Sequence, residues 1–251
     1  MKSYFTKKLQ ESNFNSHANI LITGTLKNPS SMLLPYLITH FQEETIIVTN
    51  FGENLSNLHY QCKRIGVDIN KENNLQFIDM FSSIAREIAD EYPLTRESPY
   101  THKSYKTITI GQEESLSNIM DNFISNLEKY SKDQTLILSE IEYFLMQLEN
   151  ELSQFILFIM RIIGLGFKRV IFMGNRDIFT EKNFIPLYNL LISESSYRVT
   201  IKDLESGYSK DLSGSIEFEY ANNTNQELVS KNLKFAKKMS KIVFFEQFKV
   251  N

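Results

Sequence analysis

The stretch NILITGTLKNPSSMLLPYL, residues 19–37, decides the fold class because it has the order of a phosphate-binding unit. An apolar strand leads into a turn that begins with glycine, and an amphipathic helical pattern follows. A phosphate-binding loop (P-loop) is written G-x-x-x-x-G-K-[ST]. Counted from Gly24, Pro29 replaces the second glycine and Ser30 the lysine, while Ser31 keeps the hydroxyl position. The stretch predicts the scaffold of a nucleotide site without its phosphate-holding lysine.

Four further apolar runs resemble the strand at 19–24, and together they predict a parallel sheet. They lie at 45–50, 75–80, 135–140 and 169–174. Each run is continuously apolar, as expected of a strand covered on both faces. Helical patterns separate the runs, at 29–41, 54–65, 114–130, 141–163 and 181–194. This alternation predicts an α/β fold with a mostly parallel sheet flanked by helices.

The pattern changes after residue 195 to alternating polar and apolar residues. The runs at 197–204, 214–221 and 241–248 predict antiparallel strands added at the C-terminal edge of the sheet. Residues 92–112 contain prolines and many hydroxyl side chains without helical periodicity, so they predict an exposed loop. We expect residues 1–251 to form a single domain that includes this loop.

Composition limits the possible functions. A formal net charge of −3 gives no overall attraction for nucleic acid or membranes, so any nucleic-acid contact must be local. Cys62 is the only cysteine, which excludes an internal disulfide and suits a reducing compartment. The histidines lack ligand spacing, so we expect no metal. The first sixteen residues lack the apolar core of a signal peptide, which favours the cytoplasm or nucleus.

The most apolar stretch of the chain, FILFIMRIIGLGF at 155–167, is short and interrupted by Arg161. A membrane-spanning helix needs about 20 predominantly apolar residues. The stretch therefore predicts a buried helix, and we expect no membrane partner.

These features resemble the RecA-like ATPase core and, more narrowly, the three RecA-like subunits of the Elongator complex. The resemblance covers nearly the whole chain. It rests on the degenerate loop, on VTNFGENLSNLHYQCKRIGVDI at 48–69, on LQFIDMFSS at 75–83, and on the closing run FFEQF. The most specific part is VTIKDLESGYSKDLSGSIEFEY at 199–220, which is similar to the strand, turn and strand pattern of that family.

The resemblance implies a set of partners and a role. It implies a hetero-hexameric accessory ring built with subunits 4 and 5 of the complex, which acts with the catalytic Elongator subcomplex. It further implies that the ring binds tRNA and supports modification of the wobble uridine, U34, and that ATP hydrolysis at its interfaces promotes tRNA release.

The residues themselves argue against catalysis by this chain. An active P-loop needs a lysine on the phosphates and an aspartate at the end of a later strand to complete the metal site. Ser30 replaces the lysine, and Ser139 followed by Glu140 replaces the aspartate. We therefore expect no ATPase activity and no bound cofactor. We expect the hydroxyls of Ser30 and Ser31 to cap the following helix. We expect Glu140 to be a solvated residue at the start of a helix.

Three cations are candidates for contacts outside the chain. Arg176 and Lys182 lie in GNRDIFTEKN at 174–183, where the family resemblance implies a loop facing the pore, so they could meet RNA phosphates. The resemblance implies that Lys210 lies where RecA-like subunits reach into a neighbour's nucleotide site. Arg176 and Lys182 could equally be solvated loop cations, and an ordinary turn lysine is the favoured alternative for Lys210.

Two other functions remain open from the sequence. A RecA/Rad51-type paralogue acting in homologous recombination would have a DNA-bound recombinase as partner. Such paralogues usually keep a recognisable P-loop or metal-site element, whereas both are degraded here. An active nucleotide-dependent enzyme is the weaker alternative.

Overall fold

The computed structural model describes residues 4–52, 55–69, 74–79, 105–107, 116–146, 151–204, 212–221, 228–238 and 241–246. They divide into two compact units. The first unit combines Met1–His40 with Ile171–Asn251, and the second is Phe41–Val170. Within the described residues, no helix is long and apolar enough to cross a bilayer.

In its described residues, the first unit contains a mixed set of strands and four α-helices. Its strands are β1 (Asn19–Gly24), β6 (Arg169–Asn175, from residue 171), β7 (Tyr197–Lys202), β8 (Gly214–Ala221), β9 (Leu228–Lys238) and β10 (Lys241–Glu246). The strand order is β10-β9-β8-β7-β1-β6. β1 and β7 are parallel, whereas β7, β8, β9 and β10 pair in antiparallel fashion. The helices are α1 (Tyr4–Glu11), α2 (Leu34–His40), α7 (Arg176–Phe179) and α8 (Ile185–Glu194).

The second unit contains a parallel sheet. Its strands are β2 (Ile46–Asn50), β3 (Leu75–Asp79), β4 (Tyr105–Thr107) and β5 (Thr135–Ser139), in the order β5-β2-β3-β4. All of the pairs are parallel. The helices are α3 (Leu55–Arg64), α4 (Leu116–Leu127), α5 (Ile141–Met146) and α6 (Leu152–Gly164).

This architecture confirms the predicted fold class. Continuous burial along β1, β2, β5 and β6 fits strands covered on both faces. The alternating burial of β7 fits the change of pattern after residue 195. The predicted helix at 141–163 is divided into α5 and α6, and residues 147–150 lie outside the described part of the chain. The predicted exposed loop at 92–112 contains β4, and its other residues also lie outside the described part.

Each unit has an aromatic core. In the first, the ring of Phe5 on α1 packs against Tyr36, Phe218 and Phe244 at centroid distances of 6.2, 6.0 and 5.4 Å. In the second, the ring that follows β2 meets rings from three helices, and these residues are Phe51, Phe123, Phe144, Phe155 and Phe158. The predicted burial of α6 is correct for one face only. Its opposite face exposes Leu157 and Met160.

Candidate functional site

The degenerate P-loop begins where β1 ends, at Gly24, and we call residues 25–29 the vestigial loop. The loop folds back on itself. The N–H of Thr25 donates to the carbonyl of Asn28 at 3.0 Å, and the N–H of Asn28 donates to the hydroxyl oxygen of Thr25 at 3.0 Å. In a working P-loop such N–H groups point at phosphate oxygens. Here these two are used inside the loop.

Two carboxylates complete the closure of the vestigial loop. Asp177 accepts a hydrogen bond from the N–H of Leu26 at 3.0 Å. Asp203 accepts from the hydroxyl of Thr25 at 3.0 Å and from the side-chain amide of Asn28. Asn28 is 1% exposed, so this contact is largely shielded from water. The loop therefore holds protein carboxylates, whose negative charge opposes the approach of a phosphate.

The vestigial loop also connects to the C-terminal strands. The side-chain amide of Asn28 donates to the carbonyl of Ser213 at 3.3 Å, and the ammonium of Lys237 on β9 donates to the carbonyl of Lys27 at 2.8 Å. Burial lowers the pKa of Lys237, and the nearby charge of Asp203 opposes that shift. The loop thus joins β1 to the end of β7, the start of β8, and β9.

The residues that follow the loop do not form the predicted cap. Ser30 and Ser31 lie inside a 3-10 turn, Ser30–Leu33, and are 2% and 4% exposed. The position before this turn is taken by Pro29 with φ −65° and ψ 151°. Proline has no side-chain acceptor, so the prediction that the two serines cap the helix is wrong. The ring fixes the φ angle that this turn start requires.

Gly24 is required by close packing. A Cβ atom built on Gly24 would lie 2.7 Å from the carbonyl carbon of Pro29 and would collide with the carbonyl of Asn28 and the nitrogen of Ser30. All of these are backbone atoms, which cannot rotate away. The glycine is therefore explained without a nucleotide.

Ser139, at the position of the metal-site aspartate, belongs to the second unit. It ends β5, is fully buried and pairs in register with Asn50 on β2. Its carbonyl accepts from the N–H of Phe51 at 3.2 Å. A serine hydroxyl is neutral, so Ser139 does not supply the charge that the aspartate of an active site gives to a divalent cation.

Glu140 differs from its predicted solvated position. It is only 6% exposed and has a left-handed backbone with φ 59°, which is uncommon for a residue other than glycine. Its carboxylate lies where a Cβ on Gly52 would be, beside the ring of Tyr143. The prediction of a solvated helix start is wrong, because the side chain of Glu140 is buried beside Gly52 and Tyr143.

The RNA-contact candidates lie on and after a short helix instead of in a loop. α7 begins with Arg176, and its N-cap is Asn175, whose side chain accepts from the N–H of Asp177 at 2.9 Å. Arg176 is half-buried. Burial raises the pKa of Tyr188 above its ordinary value, and the positive charge of Arg176 opposes part of that rise. Lys182 is exposed in the following turn. Lys210 lies outside the described residues.

Sequence reasoning missed Asn28, Asp177 and Asp203 as members of the site. Asp177 lies 151 positions from Leu26, and Asp203 lies 175 positions from Asn28. No local spacing rule connects such residues. The dipeptide Asn28-Pro29 is a turn signal that could have drawn attention to the loop.

The comparisons with known proteins agree with this architecture. Uncharacterized protein PH0321 from Pyrococcus horikoshii, crystallised with an unknown peptide, has a TM-score of 0.58 and 12% identity, and the match covers 98% of this chain and 100% of that one. The KaiC-like protein PH0186 from Pyrococcus horikoshii has a TM-score of 0.53 and 11% identity, over 91% and 89% of the two chains. No protein-family model matches the chain, and no curated protein matches its sequence.

The chain therefore has a RecA/KaiC-like fold, with a closed loop at the position of the degenerate P-loop. At 11% and 12% identity, this likeness defines the fold alone.

Proposed function

We propose that the chain is a non-catalytic RecA-like subunit of the Elongator accessory ring, assembled with subunits 4 and 5. The family resemblance favours subunit 6 of that complex, and subunit 5 is the close competitor. The observation that carries the non-catalytic part is the closed vestigial loop. Its N–H groups at Thr25, Leu26 and Asn28 already donate to protein oxygens.

Phosphate binding by this loop would require three separate changes. The N–H groups would have to leave their present acceptors, Asp177 and Asp203 would have to withdraw, and a cation would have to replace the missing lysine. Pro29 offers no N–H in any conformation. Electrostatic stabilisation supplies most of the rate enhancement in phosphoryl transfer, so losing the lysine and the metal aspartate removes catalysis.

The proposed role is structural and in RNA binding. As a ring member the chain would support tRNA binding and wobble-uridine modification by the catalytic Elongator subcomplex. The antiparallel pair β7 and β8 supports this proposal, since residues 199–220, the most specific part of the family resemblance, cover most of these two strands. Nucleotide bound at the ring interfaces would be held mainly by neighbouring subunits.

The catalytic part is tested on the isolated chain. We expect no Mg-dependent ATP hydrolysis above background and no binding of a fluorescent ATP analogue. Turnover that Ser31→Ala abolishes would show that the loop opens and works as a nucleotide site.

The assembly part is tested by co-expression with the subunit 4 and 5 counterparts, followed by size-exclusion chromatography with light scattering. We expect one species with the mass of a hetero-hexamer. A chain that stays monomeric under these conditions contradicts the proposal. Recovery from the native source with a recombinase and not with Elongator subunits would favour the recombination alternative.

A further inference from the structure

Helix α3 presents one polar face that neither the fold nor the vestigial loop uses. Its exposed residues are Asn57, Tyr60, Lys63 and Arg64, which we call the α3 stripe. Residues spaced by three, four and seven positions share one side of a helix. The opposite side is buried through Leu55, Leu58, His59 and Cys62. The stripe is therefore the solvent side of a helix anchored in the second unit.

The charge of the stripe differs in sign from that of the whole chain. α3, with the sequence LSNLHYQCKR, contains no acidic residue, and its last turn carries Lys63 and Arg64. The formal net charge of the chain is −3, so this helix is a local basic surface. Basic residues on one face of a helix form the electrostatic footprint of nucleic-acid binding.

An exposed aromatic ring lies within this basic surface. Tyr60 is 59% exposed, and the guanidinium of Arg64 lies 5.4 Å from the centroid of its ring. Unpaired RNA bases stack on aromatic side chains and on guanidinium planes, while nearby cations contact the phosphates. Tyr60 and Arg64 thus supply two stacking planes, and Lys63 supplies a phosphate contact one turn away.

We propose that the α3 stripe binds single-stranded RNA, with bases stacked on Tyr60 and on the guanidinium of Arg64 and a phosphate held by Lys63. The proposal deepens the RNA-binding part of the proposed function and rests on it, but it needs neither Arg176 nor Lys182. A duplex hides its base faces, so single strands are the expected ligand. An acidic peptide would contact the two cations, and the ring of Tyr60 would contribute little to its affinity.

The chain provides a matched control on α1. Tyr4 is 47% exposed, and the ammonium of Lys7 lies 5.9 Å from the centroid of its ring, so this helix also presents an exposed tyrosine beside a cation. This pair has an acidic residue on its own helix, because Lys7 lies 3.7 Å from the carboxylate of Glu11, whereas the sequence of α3 contains no aspartate or glutamate. Tyr4→Ala and Lys7→Gln therefore remove the same groups from a surface that is not uniformly basic.

The experiment measures fluorescence anisotropy of a labelled single-stranded pyrimidine oligoribonucleotide with the full chain, across a salt series. We expect Tyr60→Ala to weaken binding at least about fivefold, since stacking of a base is lost. We expect Lys63→Gln to make the slope of log K against log salt shallower by about 0.7. Tyr4→Ala and Lys7→Gln should leave both quantities unchanged.

Three results would overturn the proposal. They are equal effects of Tyr60→Ala and Tyr4→Ala, wild-type affinity in Tyr60→Ala, and displacement of the oligonucleotide by polyglutamate as effectively as by unlabelled RNA. All of the variants change exposed residues and should therefore fold. A thermal melt of each variant checks this. Ring assembly is measured separately. Intact assembly with unchanged RNA binding overturns this inference alone, whereas failed assembly contradicts the proposed function.

Discussion

The Nη1 atom of Arg169 lies 2.9 Å from a carboxylate oxygen of Glu44, and the arginine side chain is fully buried. The same Nη1 donates to the hydroxyl of Thr135 at 2.7 Å, and the guanidinium lies 4.6 Å from the ring centroid of Phe41. Lys168 adds a second ion pair to Glu44 at 2.9 Å. This network joins the first residues of β5 and β6 to the turn before β2.

The network should make stability depend on pH at the acid end. Burial raises the pKa of Glu44, but hydrogen bonds from Lys168 and Arg169 outweigh it and hold the pKa below its ordinary value. A lowered folded-state pKa gives stability that is present above the unfolded pKa and lost as pH falls through the folded one. Urea unfolding between about pH 7 and 3 should therefore show a smaller loss for Glu44→Gln than for the wild type. Glu43→Gln, at the exposed neighbour, should behave like the wild type.

Removing Arg169 should lower the free energy of unfolding by more than removing the carboxylate of Glu44. Arg169→Ala would leave Glu44 half-buried without one of its cations and would leave a cavity beside Phe41. Breaking a buried ion pair from one side costs about 3–5 kcal/mol. We expect a loss near the lower end of that range, because Glu44 keeps Lys168. A variant with wild-type urea midpoint at pH 7 would show that the network contributes nothing to stability.

A methyl group at Gly24 should destabilise the fold, whereas one at Gly164 should not. A Cβ on Gly24 meets backbone atoms of Asn28, Pro29 and Ser30, while a Cβ on Gly164 meets nothing within 4 Å. Overpacking costs about 1–3 kcal/mol. We expect Gly24→Ala to lower the free energy of unfolding by that amount and Gly164→Ala to leave it unchanged or raise it, as measured by urea titration. Equal unfolding midpoints for the two variants would contradict the packing account of Gly24.

The two sequence-predicted RNA residues should contribute unequally. Lys182 is exposed and Arg176 half-buried beside Tyr188, so Lys182 is the better placed for a phosphate contact. In an assembled ring, the double alanine variant should bind tRNA more weakly and with a shallower salt slope, with little change in sequence preference. Most of the effect should appear in Lys182→Ala alone. Unchanged affinity of the double variant across the salt series would remove both residues from the RNA surface.

Lys210 is predicted from the sequence to act in trans on a nucleotide held by a neighbouring subunit. By analogy with arginine fingers, worth about 10³–10⁵ in rate, its loss should be easy to detect. Lys210→Ala should lower the ATPase activity of the whole ring while leaving its mass unchanged in light scattering. Equal activity of mutant and wild-type rings at matched hexamer concentration would make Lys210 an ordinary surface lysine.

The fold was largely predictable because a strand that is buried on both faces has a continuous run of apolar residues. The strands predicted at 19–24, 45–50, 75–80, 135–140 and 169–174 are all present, within one or two residues. β9 was missed because its many lysines, in LVSKNLKFAKK, obscure the alternation of a strand with one buried face. α1 was missed because its apolar positions are few, although Phe5 and Leu9 have no solvent exposure.

The closure of the loop could be predicted only in part. The substitutions at Pro29 and Ser30 indicate from local spacing that the P-loop is degenerate. The acceptors of the loop's hydrogen bonds come from distant parts of the chain, since Asp177 follows β6 and Asp203 follows β7. Burial of Glu140 depends on Gly52, whose lack of a side chain leaves room for the carboxylate. Such relationships arise from packing, which a one-dimensional pattern does not carry.

Because backbone packing alone demands a glycine at position 24, its presence says nothing about whether a chain of this architecture uses ATP. A search that scores partial P-loops would count that glycine toward ATPase function, although backbone packing alone accounts for it. The informative positions are the acceptors on the facing strand ends. A carboxylate equivalent to Asp203, hydrogen-bonded to loop residues, distinguishes a loop that serves as a structural joint from one that has merely lost its ligand.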